Sequence, residues 1–238
     1  MNHRMLAISV IGLGLVFPAQ AANLDSLIAV ARPQFRLLSE DLGAVLSYKP
    51  LSPGEPLGIT GFDLGIEVSA TRLENTAAYA AATGDSTSTL YLPRLHVHKG
   101  LPFGIDLGAS YAAVPDSNIK LWGAEVRYAI LKGGATSPAL ALRGSYTALD
   151  GVSQLELTTA GVDLSISKGF AMFTPYAGIG KVWVRSSPDV GPSLTDEKFD
   201  LNKVFAGVNM NLAVINIAIE GDRTGPATSY GIKFGWRF

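Results

Sequence analysis

His96 and His98 stand two residues apart in "YLPRLHVHKG", on the same side of an extended chain as Arg94. Imidazoles at i and i+2 of a strand can share a metal ion, but the sequence offers no identifiable third ligand, so no metal is assigned. The chain has no cysteine, which excludes a thiol nucleophile, a thiolate metal site, a disulfide framework and a lipidated N-terminal cysteine. "GIGK" at 178–181 has the ending of a phosphate loop. The glycine such a loop needs five residues before Gly180 is Pro175, however, and the surrounding residues alternate like a strand. No catalytic residue and no cofactor is therefore assigned.

The elements around these residues are mostly extended. Residues 1–21 read as a secretory signal peptide: Arg4, then the apolar run "MLAISVIGLGLVF", then the small-x-small site "AQA". That run is shorter than the ~20 residues a membrane helix requires. Setting Arg4 aside leaves 18 of the 19 Lys and Arg against 20 Asp and Glu, with no basic stripe for nucleic acid. Residues 22–57 form an N-terminal helical segment and linker. Leu24, Leu27, Ile28, Ala31, Phe35 and Leu38 recur at helical spacing, Asn23 or Asp25 caps the start, and Pro33 breaks or kinks the helix. "YKPLSPGEP" is the linker.

From Ile59 the period becomes two. In "GFDLGIEVSA", Phe62, Leu64, Ile66 and Val68 oppose Asp63, Gly65, Glu67 and Ser69; "FGIDLGASYA" and "WGAEVRYAI" repeat the pattern. Further alternating segments at about 90–99, 139–149, 157–167, 174–186, 202–212, 215–223 and 228–238 bring the count to about ten, with "GAVLSY" as a possible extra strand and twelve the competing number. Each is close to the length of a tilted membrane strand. The two longest connections are the first and the seventh, both odd, and the tightest is the eighth. This parity fits an even-numbered barrel with long outer loops and short periplasmic turns.

On the signal peptide, the alternating segments and the ending "YGIKFGWRF", the chain resembles the small outer-membrane β-barrels of Gram-negative bacteria. The resemblance implies an all-β fold: an antiparallel transmembrane barrel over 58–238, located in the outer membrane, with the N-terminal helical segment on the periplasmic side. It also implies as partners the outer-membrane lipid and lipopolysaccharide, and the barrel-assembly machinery, which would read Tyr230, Phe234, Trp236 and Phe238 as its signal. A soluble sandwich or lipocalin-like barrel is the competing reading, but the polar face is rich in Gly and Ser rather than Lys and Glu.

Within such a barrel Tyr91, Tyr111, Trp122, Tyr146 and Tyr230 form an outer aromatic girdle. Phe62, Phe103, Tyr128, Tyr176, Trp236 and Phe238 form a periplasmic one. The lumen is lined by Asp63, Glu67, Asp106, Glu125, Asp163 and Glu220, and by Arg94, Arg127, Arg143, Lys181, Arg185, Lys203, Lys233 and Arg237 with His96 and His98. Ten strands enclose little space, so these charges should pair and close the tube. The expected function is a structural or small-solute transport role through a narrow, mostly occluded lumen. The alternative is a surface binding module acting through loops 73–87 and 186–200, whose acidic residues Asp189, Asp196, Glu197 and Asp200 read as a solvated loop. An outer-membrane hydrolase comes third, because no histidine lies in an outer loop. The helical segment is expected across the periplasmic mouth, since Leu27, Ile28 and Phe35 suit charged lumen walls poorly.

Overall fold

The computed structural model describes residues 27, 30–113, 119–191 and 194–238. The signal peptide at 1–21, the caps Asn23 and Asp25, and Leu24 and Ile28 lie outside the described residues. Ten strands follow helix α1 (Arg32–Leu46): β1 Phe62–Arg72, β2 Thr89–Gly100, β3 Ile105–Ala113, β4 Lys120–Lys132, β5 Ala139–Asp150, β6 Leu155–Ser167, β7 Phe173–Pro188, β8 Glu197–Leu212, β9 Ile215–Thr224 and β10 Ala227–Arg237. A second helix, α2 (Thr76–Thr83), sits in the β1–β2 connection.

Each strand pairs antiparallel with its neighbours, and β10 pairs with β1 to close the barrel. Closure leaves no open sheet edge, which a sheet surrounded by lipid could not satisfy. At the seam Leu64 faces Trp236 and Ile66 faces Phe234, while Phe62 and Phe238 exchange backbone hydrogen bonds of 2.7 and 3.0 Å. Phe238, one residue past β10, is thus held in register against the start of β1.

The two ends differ. The connections at 73–88 and 189–196 share one end, and 101–104, 168–172 and 213–214 lie at the other. The former is the long-loop end and the latter the short-turn end; outer-membrane barrels commonly turn such ends outward and toward the periplasm respectively. The β9–β10 connection is only Gly225 and Pro226, with Gly225 at φ 57. "GAVLSY" is not a strand but the last turn and C-cap of α1.

Pro33 does not break the helix either. It lies in the first turn of α1, where its missing N–H has no intrahelical partner to lose. Gln34 Oε1 accepts from Ala31 N–H at 3.3 Å and closes that end.

The main departure from expectation is the position of α1. It lies inside the barrel at the long-loop end, not across the short-turn mouth. Its residues Phe35, Leu38, Leu42, Val45 and Leu46 pack in one buried cluster with the inward-facing Leu92, Leu121, Leu157, Val182, Val184 and Leu201. The wall is apolar at this level, so the mismatch that argued against lumen entry does not arise. Below α1 the chain descends toward the short-turn end before turning back as β1. Residues 47–57 would reach roughly 36 Å fully extended, enough to cross an apolar band of about 25 Å.

The absence of cysteine makes this placement testable. In the single-cysteine variant Ala31→Cys, the thiol lies at the exposed start of α1 at the long-loop end. A membrane-impermeant maleimide should label it on intact cells and should not label Ala213→Cys in the short β8–β9 turn. Labelling of Ala31→Cys only after the outer membrane is permeabilised would put the helix at the other end.

Candidate functional site

The lumen is divided by height. In the upper half α1 fills it with apolar packing, and Gly43 allows the helix to approach the wall. A Cβ at Gly43 would sit 2.7 Å from a methyl of Val184, closer than any ordinary contact. One polar bridge crosses the same seam, between Ser39 Oγ and Ser186 Oγ at 2.8 Å.

The helix is also tied to the first long loop and to the start of β8. Asp41 accepts from the backbone N–H of Glu74 (3.3 Å) and Asn75 (2.7 Å), satisfying donors at the start of α2. Burial pushes the Asp41 carboxyl above its usual range despite these bonds. Arg36 bonds Glu40 and Glu197 and lies 3.9 Å over the Phe199 ring. In α2, burial first and the Asp85 charge second push Tyr79 up to about 12.

The lower half is polar, and its charged residues face a chain without regular structure. Residues 47–57 carry backbone groups with no helix or sheet ladder to serve them, at membrane depth, where each unpaired group costs several kcal/mol. The barrel wall supplies the partners. Leu51 N–H donates to Glu220 Oε2 (2.9 Å), Gly54 N–H to Ser167 Oγ (3.1 Å) and Leu57 N–H to Asp106 Oδ1 (3.1 Å). In the other direction Arg94 donates to the Val45 carbonyl (2.9 Å), Thr147 to Leu46 (3.0 Å), Lys203 to Tyr48 (2.7 Å) and Arg127 to Pro53 (2.7 Å).

The same side chains pair with one another. Arg127 forks onto Asp106 at 2.6 and 3.1 Å, Arg143 binds Glu125 at 2.8 Å, Lys203 reaches Asp163 at 3.3 Å and Lys233 reaches Asp63 at 2.9 Å. Arg94 and His96 share Glu67, and His98 meets Glu125 at 3.3 Å and the Tyr48 hydroxyl at 3.3 Å. His98 needs a bare wall beside it, since a Cβ at Gly108 would lie 2.3 Å from its ring. His96 and His98 stack with centroids 5.7 Å apart. Among the described residues no group of three or more His, Asp or Glu converges as a metal cage.

Of the residues assigned to the lumen, Asp63, Glu67, Arg94, His96, His98, Asp106, Glu125, Arg127, Arg143, Asp163, Lys203, Glu220 and Lys233 are buried inside. Arg237 lies at the lower rim, 3.7 Å from Asp63. Lys181 and Arg185 are corrections: both face outward, half-exposed, beside Asp200 (2.7 Å) and Asp196 (3.9 Å). Tyr176 is corrected the opposite way, from the lipid-facing periplasmic girdle to the lumen, where its hydroxyl donates to Glu220 at 2.9 Å. One cause explains all three. The apolar residues of upper β7, Val182 and Val184, turn inward to pack α1, so this strand has the reverse phase from the one that points every apolar residue at lipid.

The sequence reading missed Lys49, which binds Asp222 (2.9 Å) and Ser229 (3.1 Å) from within the descending segment. Asp222 was findable, because it shares the inward face of β9 with Glu220. Lys49 was not, since nothing local distinguishes a lumen-filling segment from a linker.

The outside of the barrel is the complement of this interior. Leu64, Ile66, Leu95, Val126, Leu164, Ile179, Val204 and Ile232 all lie exposed at mid-height. Tyr91, Trp122, Tyr146, Trp183 and Tyr230 ring the upper edge, and Phe62, Tyr128, Trp236 and Phe238 the lower. A closed antiparallel barrel with an apolar belt, two aromatic girdles and a polar interior is a transmembrane β-barrel of the outer-membrane type.

No family model and no curated protein matches the chain. Among solved structures it is similar to the N-terminal barrel domain of Pseudomonas aeruginosa OprF, at 12% identity over 74% of this chain and 97% of that one, with a TM-score of 0.37. It is also similar to P. aeruginosa OprG, at 12% identity over 78% and 98%, TM-score 0.34, and to the Escherichia coli outer-membrane protease OmpT, at 7% over 75% and 95%, TM-score 0.38. At such scores the class stands on the chain's own two faces, which are those of an outer-membrane-type β-barrel.

Removing one member of the lumen network should cost far more than a surface mutation. Arg127→Ala leaves Asp106 buried without its cation and Pro53 without its donor. We expect a loss of about 3–5 kcal/mol in urea unfolding from lipid vesicles. Arg127→Lys, which keeps the charge but not the fork, should lose less. Equal stability of Arg127→Ala and the parent would show that the network does not hold the segment.

Proposed function

We propose that this barrel is a stoppered conduit: its own N-terminal segment closes the lumen, and small polar solutes pass only when that segment shifts. One observation carries the reading. The lumen is filled not by wall side chains meeting at the axis but by a separate stretch, residues 32–57, which belongs to no strand and is covalently joined to the wall only at β1. Its lower half is held by side chain to backbone hydrogen bonds, each exchangeable for water as a group leaves. The charged walls it would uncover suit polar solutes. Lipopolysaccharide, outer-membrane phospholipid and, through Phe238, the barrel-assembly machinery are the partners this reading assumes.

A second reading, surface binding through the long loops, is favoured by the bonds from Asp41 and Arg36. They join loop 73–88 and the first residue of β8, Glu197, which ends loop 189–196, to α1, so a ligand engaging those loops would also act on the stopper. Against hydrolysis, His96 and His98 are 1% and 2% exposed, beneath the segment and committed to Glu67 and Glu125.

Ser39 and Ser186 offer a lock. Their hydroxyls are 2.8 Å apart, and the chain has no native cysteine to interfere. In planar bilayers the parent protein and the reduced Ser39→Cys/Ser186→Cys variant should show small, rare openings. The oxidised variant should show none, and deletion of residues 32–57 should give steady current. Openings that persist in the oxidised protein would sink the stopper as a gate, and large steady currents from the parent would sink the closed lumen.

A further inference from the structure

The short-turn rim combines features that a surface facing only water would not keep. Phe103, at the tip of the β2–β3 turn, is 83% exposed and holds φ 67, a left-handed conformation that L side chains rarely adopt. Ala171, at φ 52, separates Phe170 (60% exposed) from Met172 (44%) in the β6–β7 turn. Ala213, at φ 56, precedes Val214 (53%) in the β8–β9 turn. At the long-loop end, by contrast, the left-handed positions among the described residues are all glycine: Gly84, Gly151, Gly191 and Gly225. Of the four non-glycine residues held left-handed among the described residues, Leu51 lies buried in the lumen segment and the other three all stand in short turns that present apolar side chains beyond the strand ends.

Charge is distributed with the same asymmetry. Among the described residues every exposed carboxylate side chain (Glu74, Asp150, Glu156, Asp189, Asp196 and Asp200) belongs to the long-loop end. The short-turn rim instead carries exposed Lys132 and half-buried Lys99 and Lys168, with one half-buried carboxylate, Glu55, near Gly169. Lys99 donates to the carbonyls of Ile59 and Gly61, and Lys168 to those of Gly134, Ala135 and Ser137. These bonds orient the ammonium groups without neutralising them. The stem of Lys132 lies over Gly104, beside the Phe103 tip.

From these observations we infer that the short-turn rim is a docking surface for anionic phospholipid, the turn tips entering the acyl boundary and the three lysines meeting the phosphates. Two features single out lipid as the occupant. The tips continue the lipid-facing band through Phe62, Phe173 and Trp236. They also rise from turns on separate arcs of a closed barrel, β2–β3, β6–β7 and β8–β9, which a leaflet surrounds and a single protein contact does not. Lysines set at an apolar boundary attract anionic headgroups in a salt-dependent way.

The full-length mature protein in phosphatidylcholine vesicles, probed by spin resonance with spin-labelled phosphatidylglycerol and phosphatidylcholine, tests this. The parent should favour phosphatidylglycerol several-fold, with the preference falling at high salt. Lys99→Gln/Lys132→Gln/Lys168→Gln should abolish it. Lys132→Gln alone, which leaves both sets of turn bonds intact, should lower it, and Lys120→Gln/Lys198→Gln at the other end should not. A nitroxide on Phe103→Cys should be more accessible to oxygen than to a water-soluble nickel complex. Absence of any preference in the parent, survival of the preference in the triple variant, or the reverse order of accessibility would overturn the proposal; the first or last result would point to a protein partner or to water at this rim.

Discussion

A polypeptide that crosses the thickness of a membrane without helix or sheet structure must have each of its backbone groups met by something other than water. In this barrel that constraint falls on residues 47–57, and the composition of the lumen follows from it. Glu220, Ser167 and Asp106 accept from the segment's N–H groups while Arg94, Lys203 and Arg127 donate to carbonyls of the segment and of the end of α1. The ion pairs among those side chains, such as Arg127 with Asp106, keep the groups charged and aimed, so the network serves the segment first and itself second. Buried ion pairs add little net stability on their own; here they create a site that only one threading of the chain satisfies.

The two halves of the lumen solve this problem differently. The upper half uses a helix, whose backbone is internally satisfied, and so needs only apolar packing from the wall. Below Leu46 the helix ends, and the wall becomes polar at the level where backbone groups first need partners. The boundary has a functional consequence. Apolar packing around α1 is non-directional and tolerates small movement, whereas each lower contact is a specific hydrogen bond. Asp41 and Arg36 extend the upper half outward to the first long loop and to the start of β8, giving the stopper a direct link to the long-loop surface.

Much of the barrel was legible in the alternation of strands such as β1, β3 and β4, because a wall with lipid on one side and polar groups on the other imposes a period of two. The parity of the long connections carried the even strand number for the same physical reason. The inward charges of β1 to β6 were readable from phase alone. The phase of β7 was not, since Val182 and Val184 face a helix rather than lipid and an apolar residue does not declare which apolar surface it meets. Pro33, read as a breaker, is equally at home in a first turn. The placement of α1 depended on knowing that the upper wall was apolar, which is a property of several strands together and of none separately. Lys49 stood in what looked like a linker, because loop composition records the absence of regular structure and says nothing of burial.

The central claim is that the N-terminal segment occupies the lumen and that its backbone is held there by the wall. Hydrogen exchange at the amides of Leu51, Gly54 and Leu57, with the protein in lipid bilayers, addresses it directly. The account predicts protection comparable to that of the strand amides of β1 and β10. Exchange at the rate of an open chain at those three positions would contradict it.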